Sequence, residues 1–120
     1  MFLTLNHQNL EAYKASKVLV LECYRFSKHL PVDEKFGMIS QIRRAALSVH
    51  LNIAEGSSRR SVAERKRYFE ISRGSIIEID AGLDIAYGLN YFENYPQGGL
   101  SDSITKCFRL VTGLITSQSK

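Results

Sequence analysis

The stretch QIRRAALSVHLNIAEGSSRRS, residues 41–61, has the apolar spacing of an α-helix and also carries a stripe of polar residues. The apolar seam, in steps of three or four, consists of Ile39, Ile42, Ala46, Val49 and Ile53. The polar stripe consists of Arg44, Ser48, Asn52 and Glu55. On a helical wheel of about 100° per residue, this stripe spans roughly 80° and lies opposite the seam, so its members need not enter the core.

The same spacing recurs along nearly the whole chain of 120 residues. Further apolar seams, in alternating steps of three and four, occupy residues 12–30, 69–86 and 104–115. Turn-forming residues separate the seams, and no segment sustains the two-residue alternation of a strand. Four helices with short connections predict an all-α fold, an antiparallel up-down-up-down four-helix bundle, as a single domain over residues 1–120.

Residues at the breaks predict where helices begin and end. Pro31 closes the first helix, because the residue before a proline resists helical angles. Asp33 is a candidate N-cap of the second helix, and Gly56 is expected in the left-handed conformation at its end. Ser61 and Glu64 form a capping-box pattern that opens the third helix.

The composition is that of an ordinary globular protein with a mild excess of positive charge. The formal net charge is +4 and the pI is about 9.2, which permits an acidic partner such as RNA without requiring one. The start lacks the pattern of a signal peptide, and the longest apolar run, VLVL at 18–21, is too short to span a bilayer. We therefore expect a cytoplasmic protein without a membrane partner, with Cys23 and Cys107 reduced in its core.

The second helix is apolar on more than one side. A further apolar strip consists of Phe36, Leu47, Leu51 and Ala54. A core-facing helix usually needs one stripe a little over 100° wide, and this helix is apolar over about twice that arc. One reading is a wide core from which Arg43 and His50 extend into solvent. The other is a subunit interface formed by Phe36, Leu47 and Leu51.

Glycines in the third helix predict close packing. Gly74, Gly82 and Gly88 are each unfavourable by roughly 1 kcal/mol relative to alanine, which is understandable if another backbone approaches them. If the second and third helices turn back at about residue 59, Arg44 lies opposite Gly74.

In that register we hypothesise that Gly74 and Ser75 make room for a polar contact with Arg44, completed by Glu78. Glu55 then lies near Arg65. Glu55→Ala is accordingly expected to destabilise the fold by more than the ~0–1 kcal/mol typical of an exposed ion pair.

A basic cluster occupies the junction of the second and third helices. Its members are Arg59, Arg60, Arg65, Lys66 and Arg67, and Arg43 and Arg73 are candidate extensions. Such side chains can bind phosphates by counterion release, and the start of the third helix favours anions. The alternative is a solvated charged turn whose positive charge is offset by nearby Glu64 and Glu70.

The sequence offers little chemistry for catalysis. The three histidines, His7, His29 and His50, form no HxxH or HExxH pattern. Ser48 and Ser75 lack a GxSxG context, and no phosphate-binding glycine loop is present. We therefore predict no catalytic residue, no metal site, no cofactor and no enzymatic activity.

Together, LPVDEKFGMISQIRRAALSVHLNIAEGSSRRS (30–61) and RYFEISRGSIIEID (67–80) resemble the 23S rRNA intervening-sequence proteins, also called the four-helix bundle protein family. The matched family positions are Glu34, Phe36, Gly37, Gln41, Arg43, Arg44, Ser48, Asn52, Glu55, Gly56, Arg59, Phe69, Gly74, Ser75 and Glu78. The chain departs from the family pattern at His50, where proline is common, and at Ser72, where a small apolar residue is usual.

The resemblance implies a four-helix bundle. Some members are encoded inside inserts within large-subunit ribosomal RNA genes. A related branch assists reverse transcriptases of diversity-generating retroelements and forms a five-fold ring with a basic surface. The resemblance therefore implies a homo-oligomer, such as a pentamer, that contacts nucleic acid.

Two functional hypotheses follow. The first is an RNA-associated oligomer that binds nucleic acid through Arg43, Arg59, Arg60, Arg65, Lys66 and Arg67. The second is a scaffold that binds another protein through its apolar strip and has no nucleic-acid role.

Overall fold

The computed structural model describes residues 2–118, most of which lie in four α-helices. These helices are α1 (Glu11–His29), α2 (Met38–Ser57), α3 (Val62–Gly88) and α4 (Gly98–Gln118). Short 3-10 helices, Asn6–Asn9 and Val32–Glu34, precede α1 and α2. No strand occurs within the described residues, and the predicted all-α four-helix fold is confirmed. None of the helices in this part of the chain is long and apolar enough to cross a bilayer.

The four helices form a square in which α1 and α3 each adjoin α2 and α4. Hydrogen-bonded side chains fall in reversed order along neighbouring helices, so these neighbours are antiparallel. The pairs are Ser16–His50 and Ser27–Arg43 between α1 and α2, Arg44–Glu78 and Ser48–Ser75 between α2 and α3, and Arg65–Gln118 and Arg73–Thr112 between α3 and α4.

One hydrophobic core lies between the helices and contains residues from all four predicted seams. Its largest fully buried side chains include Leu19, Phe26, Ile53, Phe69, Ile76, Ile79 and Val111. The free thiols Cys23 and Cys107 are also buried there, as expected of reduced core residues. Burial raises the pKa of each thiol to about 12, so both remain protonated at neutral pH.

The helix boundaries confirm some of the predicted signals and correct one. The α1 helix ends at His29, before Leu30 and Pro31, and the Ser61 hydroxyl accepts a hydrogen bond from the Glu64 amide at 3.0 Å. The prediction for Asp33 is wrong, because this residue lies in a 3-10 helix and α2 begins only at Met38. The Met38 amide instead donates to Glu34 Oε1 at 3.3 Å.

Gly56 has a different role from the one predicted. It lies inside α2, and no glycine among the described residues has a positive φ. A Cβ atom at Gly56 would lie 2.8 Å from Phe69 Cε1 and 2.9 Å from Tyr68 Cβ. Gly56 is therefore required because α3 approaches α2 closely there.

The α3 glycines lack the close neighbour that the sequence suggested. Apart from the adjoining residues and the backbone of α3 itself, no heavy atom among the described residues lies within 4 Å of a Cβ placed at Gly74 or Gly88. At Gly82 the nearest such atom is Ile42 Cγ1, at 3.8 Å. The expectation of a close backbone within the same chain is thus wrong for these three positions.

We expect Gly56→Ala to lower the free energy of unfolding by about 1–3 kcal/mol, because the added methyl group overlaps Phe69 and Tyr68. Gly113→Ala is the matched control, since it adds the same methyl group inside α4 with no neighbour within 4 Å. That variant should gain roughly 0.5–1 kcal/mol from helix propensity. Urea denaturation of both variants tests the assignment, which fails if the two changes have the same sign.

Candidate nucleic-acid interface

Arg65 holds the α2–α3 junction together. Its Nη1 donates to the main-chain carbonyls of Arg59, at 3.1 Å, and Arg60, at 2.6 Å. Its Nε donates to Gln118 Oε1 at 2.8 Å. One guanidinium therefore caps the turn after α2 and connects it to the last residue of α4. Arg65 contributes positive charge at this end of the bundle, but its donors are largely occupied.

Arg59 is also engaged within the junction. Its Nη2 donates to Glu55 Oε2 at 2.7 Å and to the Tyr68 hydroxyl at 3.3 Å. The guanidinium carbon lies 5.1 Å from the centroid of the Tyr68 ring, which is within cation–π range. The Tyr68 phenol and the Glu55 carboxylate raise the pKa of Arg59 above its usual value. Glu55 offsets much of the charge that Arg59 would offer to a phosphate.

The remaining members of the basic cluster are available to a ligand. Arg60 and Arg67 are exposed and Lys66 is half-buried. None of the three side chains forms an ion pair or hydrogen bond with another described residue. Lys66 and Arg67 line a shallow depression of about 500 Å³, whose other lining residues are Ala63, Glu70 and Ile71. Because all three lie beside the first turns of α3, the dipole of that helix adds to their attraction for anions.

The two candidate extensions of the cluster lie elsewhere. Arg43 is roughly four turns from the C-terminal end of α2, donates to Ser27 Oγ at 2.7 Å and lies over the Tyr24 ring at 4.7 Å. Arg73 donates to Thr112 Oγ1 at 3.1 Å and packs on an aromatic ring of α4. Both arginines thus join helices, and the structure does not bring Arg43 to the junction.

The polar stripe forms a seam along the outside of the α2–α3 pair. Ser75 donates to Ser48 Oγ at 2.8 Å, and Asn52 donates to the Ser48 carbonyl at 2.8 Å. Arg44 donates to Glu78 Oε2 at 3.3 Å, in an ion pair whose side chains are more than half exposed. The predicted contact of Arg44 with Glu78 is thus present, although the two helices meet about one turn away from the assumed register.

Glu55 pairs with Arg59, four residues later on the same chain, and not with Arg65. Because both side chains are at least one-third exposed, the pair resembles other surface ion pairs in strength. Glu55→Ala should therefore lower the free energy of unfolding by only about 0–1 kcal/mol, and not by the larger amount expected from the sequence.

The apolar strip stays open to solvent within one chain, although Phe36 lies in the turn before α2 and not on the helix as predicted. Phe36 is 90% exposed, Leu51 is 57% exposed and Leu47 is 38% exposed, so a wide core does not account for them. Two isoleucines that the sequence analysis missed, Ile71 and Ile85, are 41% and 58% exposed on α3. The 3.5-residue spacing of 71, 74, 78, 81, 85 and 88 could have identified this outer face of α3.

The family model for 23S rRNA-intervening sequence protein matches residues 8–113 of this chain. That match includes most of the bundle and confirms the resemblance carried by the α2 and α3 segments. No curated protein gives a significant match.

The variants Arg65→Met and Arg60→Met compare an arginine that holds the junction together with one whose side chain is available to a ligand. We expect Arg65→Met to lower the free energy of unfolding by about 1.5–3 kcal/mol, because it leaves carbonyl groups without a charged donor. Arg60→Met should change it by less than about 0.5 kcal/mol. Chemical denaturation of both variants checks this, and equal losses would contradict the different roles assigned to them.

Proposed function

Because the chain belongs to the 23S rRNA-intervening sequence protein family, we propose that it is a non-enzymatic, homo-oligomeric protein that binds RNA through one end of its bundle. In this proposal Arg60, Lys66 and Arg67 contact phosphates, whereas Arg59 and Arg65 shape the surface that presents them. The apolar strip on α2, with Ile71 beside it on α3, forms the contact between subunits.

The observation that carries the proposal is the uneven distribution of charge along the bundle. The antiparallel pairs place residues 2–20, 47–75 and 109–118 in one half, and residues 21–46 and 76–108 in the other. The first half, here called the basic half, has nine Lys/Arg and four Asp/Glu. The other half has six Lys/Arg and eight Asp/Glu. The overall net charge of +4 thus understates the positive charge at the α2–α3 junction.

Phosphate binding by exposed cations is driven largely by the release of counterions from the nucleic acid. Three available cations give weak binding for one chain, and several copies in one assembly increase it by avidity. The apolar strip supports such an assembly, because large apolar side chains exposed along one side of a chain are typical of interaction surfaces. In this way the two parts of the proposal depend on each other.

The second candidate function is a protein scaffold without a nucleic-acid role. The exposure of Phe36 and Leu51 supports it equally well, since the same apolar strip fits a different protein. The two functions differ in the part played by the basic half. In a scaffold, neutralising its available cations leaves partner binding unchanged.

We expect the triple variant Arg60→Gln/Lys66→Gln/Arg67→Gln to bind single-stranded RNA more weakly than the unmodified protein. The slope of log K against log salt should become smaller by about 2 for each subunit in contact, because three phosphate contacts are lost. Fluorescence anisotropy at several salt concentrations measures both quantities. Arg25→Gln/Lys28→Gln/Lys106→Gln removes the same charge from exposed positions in the other half and is the control. Equal weakening in both variants would show that only net charge matters.

We expect Leu51→Glu to dissociate the assembly, because it places a carboxylate in an apolar contact. Leu21→Glu is the matched control, since Leu21 is 54% exposed on α1 and lies outside the strip. Analytical ultracentrifugation at several concentrations compares the two variants with the unmodified protein. An unmodified protein that stays monomeric at high concentration contradicts the proposed assembly.

A further inference from the structure

A pocket between α1, α2 and the N-terminal 3-10 helix contains His50. The pocket has a volume of about 360 Å³, within the range of small-ligand sites. Its lining residues are Gln8, Tyr13, Lys14, Lys17 and His50. It lies in the basic half but on a different face from Arg60, Lys66 and Arg67.

Hydrogen bonding fixes the orientation of the His50 ring. Ser16 Oγ lies 2.9 Å from the Tyr13 carbonyl and 2.7 Å from His50 Nδ1. A hydroxyl has one proton, and the carbonyl can only accept, so Ser16 donates to Tyr13 and accepts from Nδ1–H. This assignment leaves Nε2 of the neutral ring with its lone pair, on the edge of the imidazole away from Ser16. Ser16 itself is fully buried, so the pair is not arranged as a nucleophile and its base.

Aromatic rings hold the pocket in shape. The Tyr13 ring lies between two imidazoles, with its centroid 4.3 Å from that of His50 and 4.9 Å from that of His7. Gln8 is also fixed, because its Nε2 donates to the Leu3 carbonyl at 2.8 Å. Tyr13, His50 and Gln8 are therefore held in place before a ligand binds, which lowers the entropy lost on binding.

The charged groups around this pocket are mainly positive. Lys14 and Lys17 line it, and of the two only Lys14 has an acidic partner, Glu11, at 3.5 Å. Burial, followed by the charges of Lys17 and His7, lowers the pKa of His50 below its usual value. The imidazole is consequently neutral at pH 7 while the pocket is empty of anions.

We propose that this pocket binds a phosphate group, held by the ammonium groups of Lys17 and Lys14 and by His50 Nε2. The chemistry fits either a terminal phosphate of RNA or the phosphate of a free nucleotide. The site goes beyond the proposed function, since it uses none of the cations assigned there.

Proton uptake accompanies binding at this site. A dianion next to His50 stabilises the imidazolium form, so binding raises the pKa that Lys17 and burial had lowered. Nε2 then carries a proton and donates to a phosphate oxygen. By linkage, affinity increases as the pH falls from the pKa of His50 in the complex to its pKa in the free protein. One unit of difference between these values gives roughly tenfold tighter binding at the acidic limit.

The test uses sulfate as the first probe, because it remains a dianion throughout this pH range and leaves the protein as the titrating partner. NMR of the histidine Hε1 protons follows His7, His29 and His50 separately, with sodium chloride at equal ionic strength as the reference. We expect saturable binding, a rise in the pKa of His50 without a comparable change in the His29 resonance, and binding that weakens as the pH rises towards 8. No saturation, or equal shifts of all three histidines, would overturn the proposal.

Variants then test the pocket without relying on the stability of a His50 variant. Lys17→Gln should abolish the sulfate response, whereas Lys28→Gln on the same helix should preserve it. Equal responses from these two variants would also overturn the proposal. Neutralising Arg60, Lys66 and Arg67 should leave sulfate binding at the His50 pocket unchanged. The proposal for this pocket and the proposal for RNA binding can therefore fail separately.

The source of the phosphate is distinguished with 5′-phosphorylated RNA, 5′-hydroxyl RNA and adenosine monophosphate. A preference for phosphorylated RNA that disappears in Lys17→Gln assigns the pocket to an RNA terminus. Binding of adenosine monophosphate together with equal affinity for the two RNAs assigns it to a free nucleotide. If adenosine monophosphate and phosphorylated RNA both fail to shift His50, the pocket does not recognise phosphate esters and the proposal is wrong.

Discussion

The close approach of α2 and α3 at Gly56 determines how the rest of this molecule is arranged. A hydrogen in place of a side chain lets the Phe69 ring and Tyr68 pack directly on the α2 backbone. The buried Ser72 hydroxyl then donates to the Val49 carbonyl at 2.8 Å, and Ser75 meets Ser48 one turn further along. These contacts fix the axial position of α3 on α2, and this position in turn decides which side chains share the junction.

The axial position of α3 on α2 divides the junction arginines into two groups, those bound within the turn and those available to a ligand. A guanidinium near helix ends and carbonyl groups is a strong donor, so Arg65 and Arg59 become part of the turn. Arg60 and Arg67 project outside it. Five basic residues in a short stretch therefore correspond to three available cations, and the surface charge results from the packing as much as from the composition. Because Val49 lies opposite Ser72, Leu51 and Ile71 fall at about the same height along the bundle axis. Both side chains are exposed on the outside of the bundle.

The helices, their order and most of their core could be predicted from the sequence, because burial on one face imposes a period near 3.6 that is visible without tertiary contacts. Axial register could not, because sliding one helix by a turn leaves each buried face unchanged. A turn centred near residue 59 predicts Arg44 opposite Gly74, whereas in the structure Arg44 lies opposite Glu78. Gly56 is a related case, since a glycine at a helix end is equally consistent with a left-handed cap and with close packing. The His50 pocket combines residues from three segments that no local pattern connects.

The charge distribution and the proposed assembly are coupled. In a closed ring with cyclic symmetry whose bundles run along the ring axis, every subunit points the same way, so all basic halves lie on one side. Mutual repulsion there opposes assembly, and the apolar strip must outweigh it. A bound polyanion removes this repulsion, so RNA should stabilise the ring, and by linkage the ring should bind RNA more tightly than a single subunit does. High salt screens the repulsion between subunits and also weakens phosphate contacts, so it should favour assembly while disfavouring RNA binding.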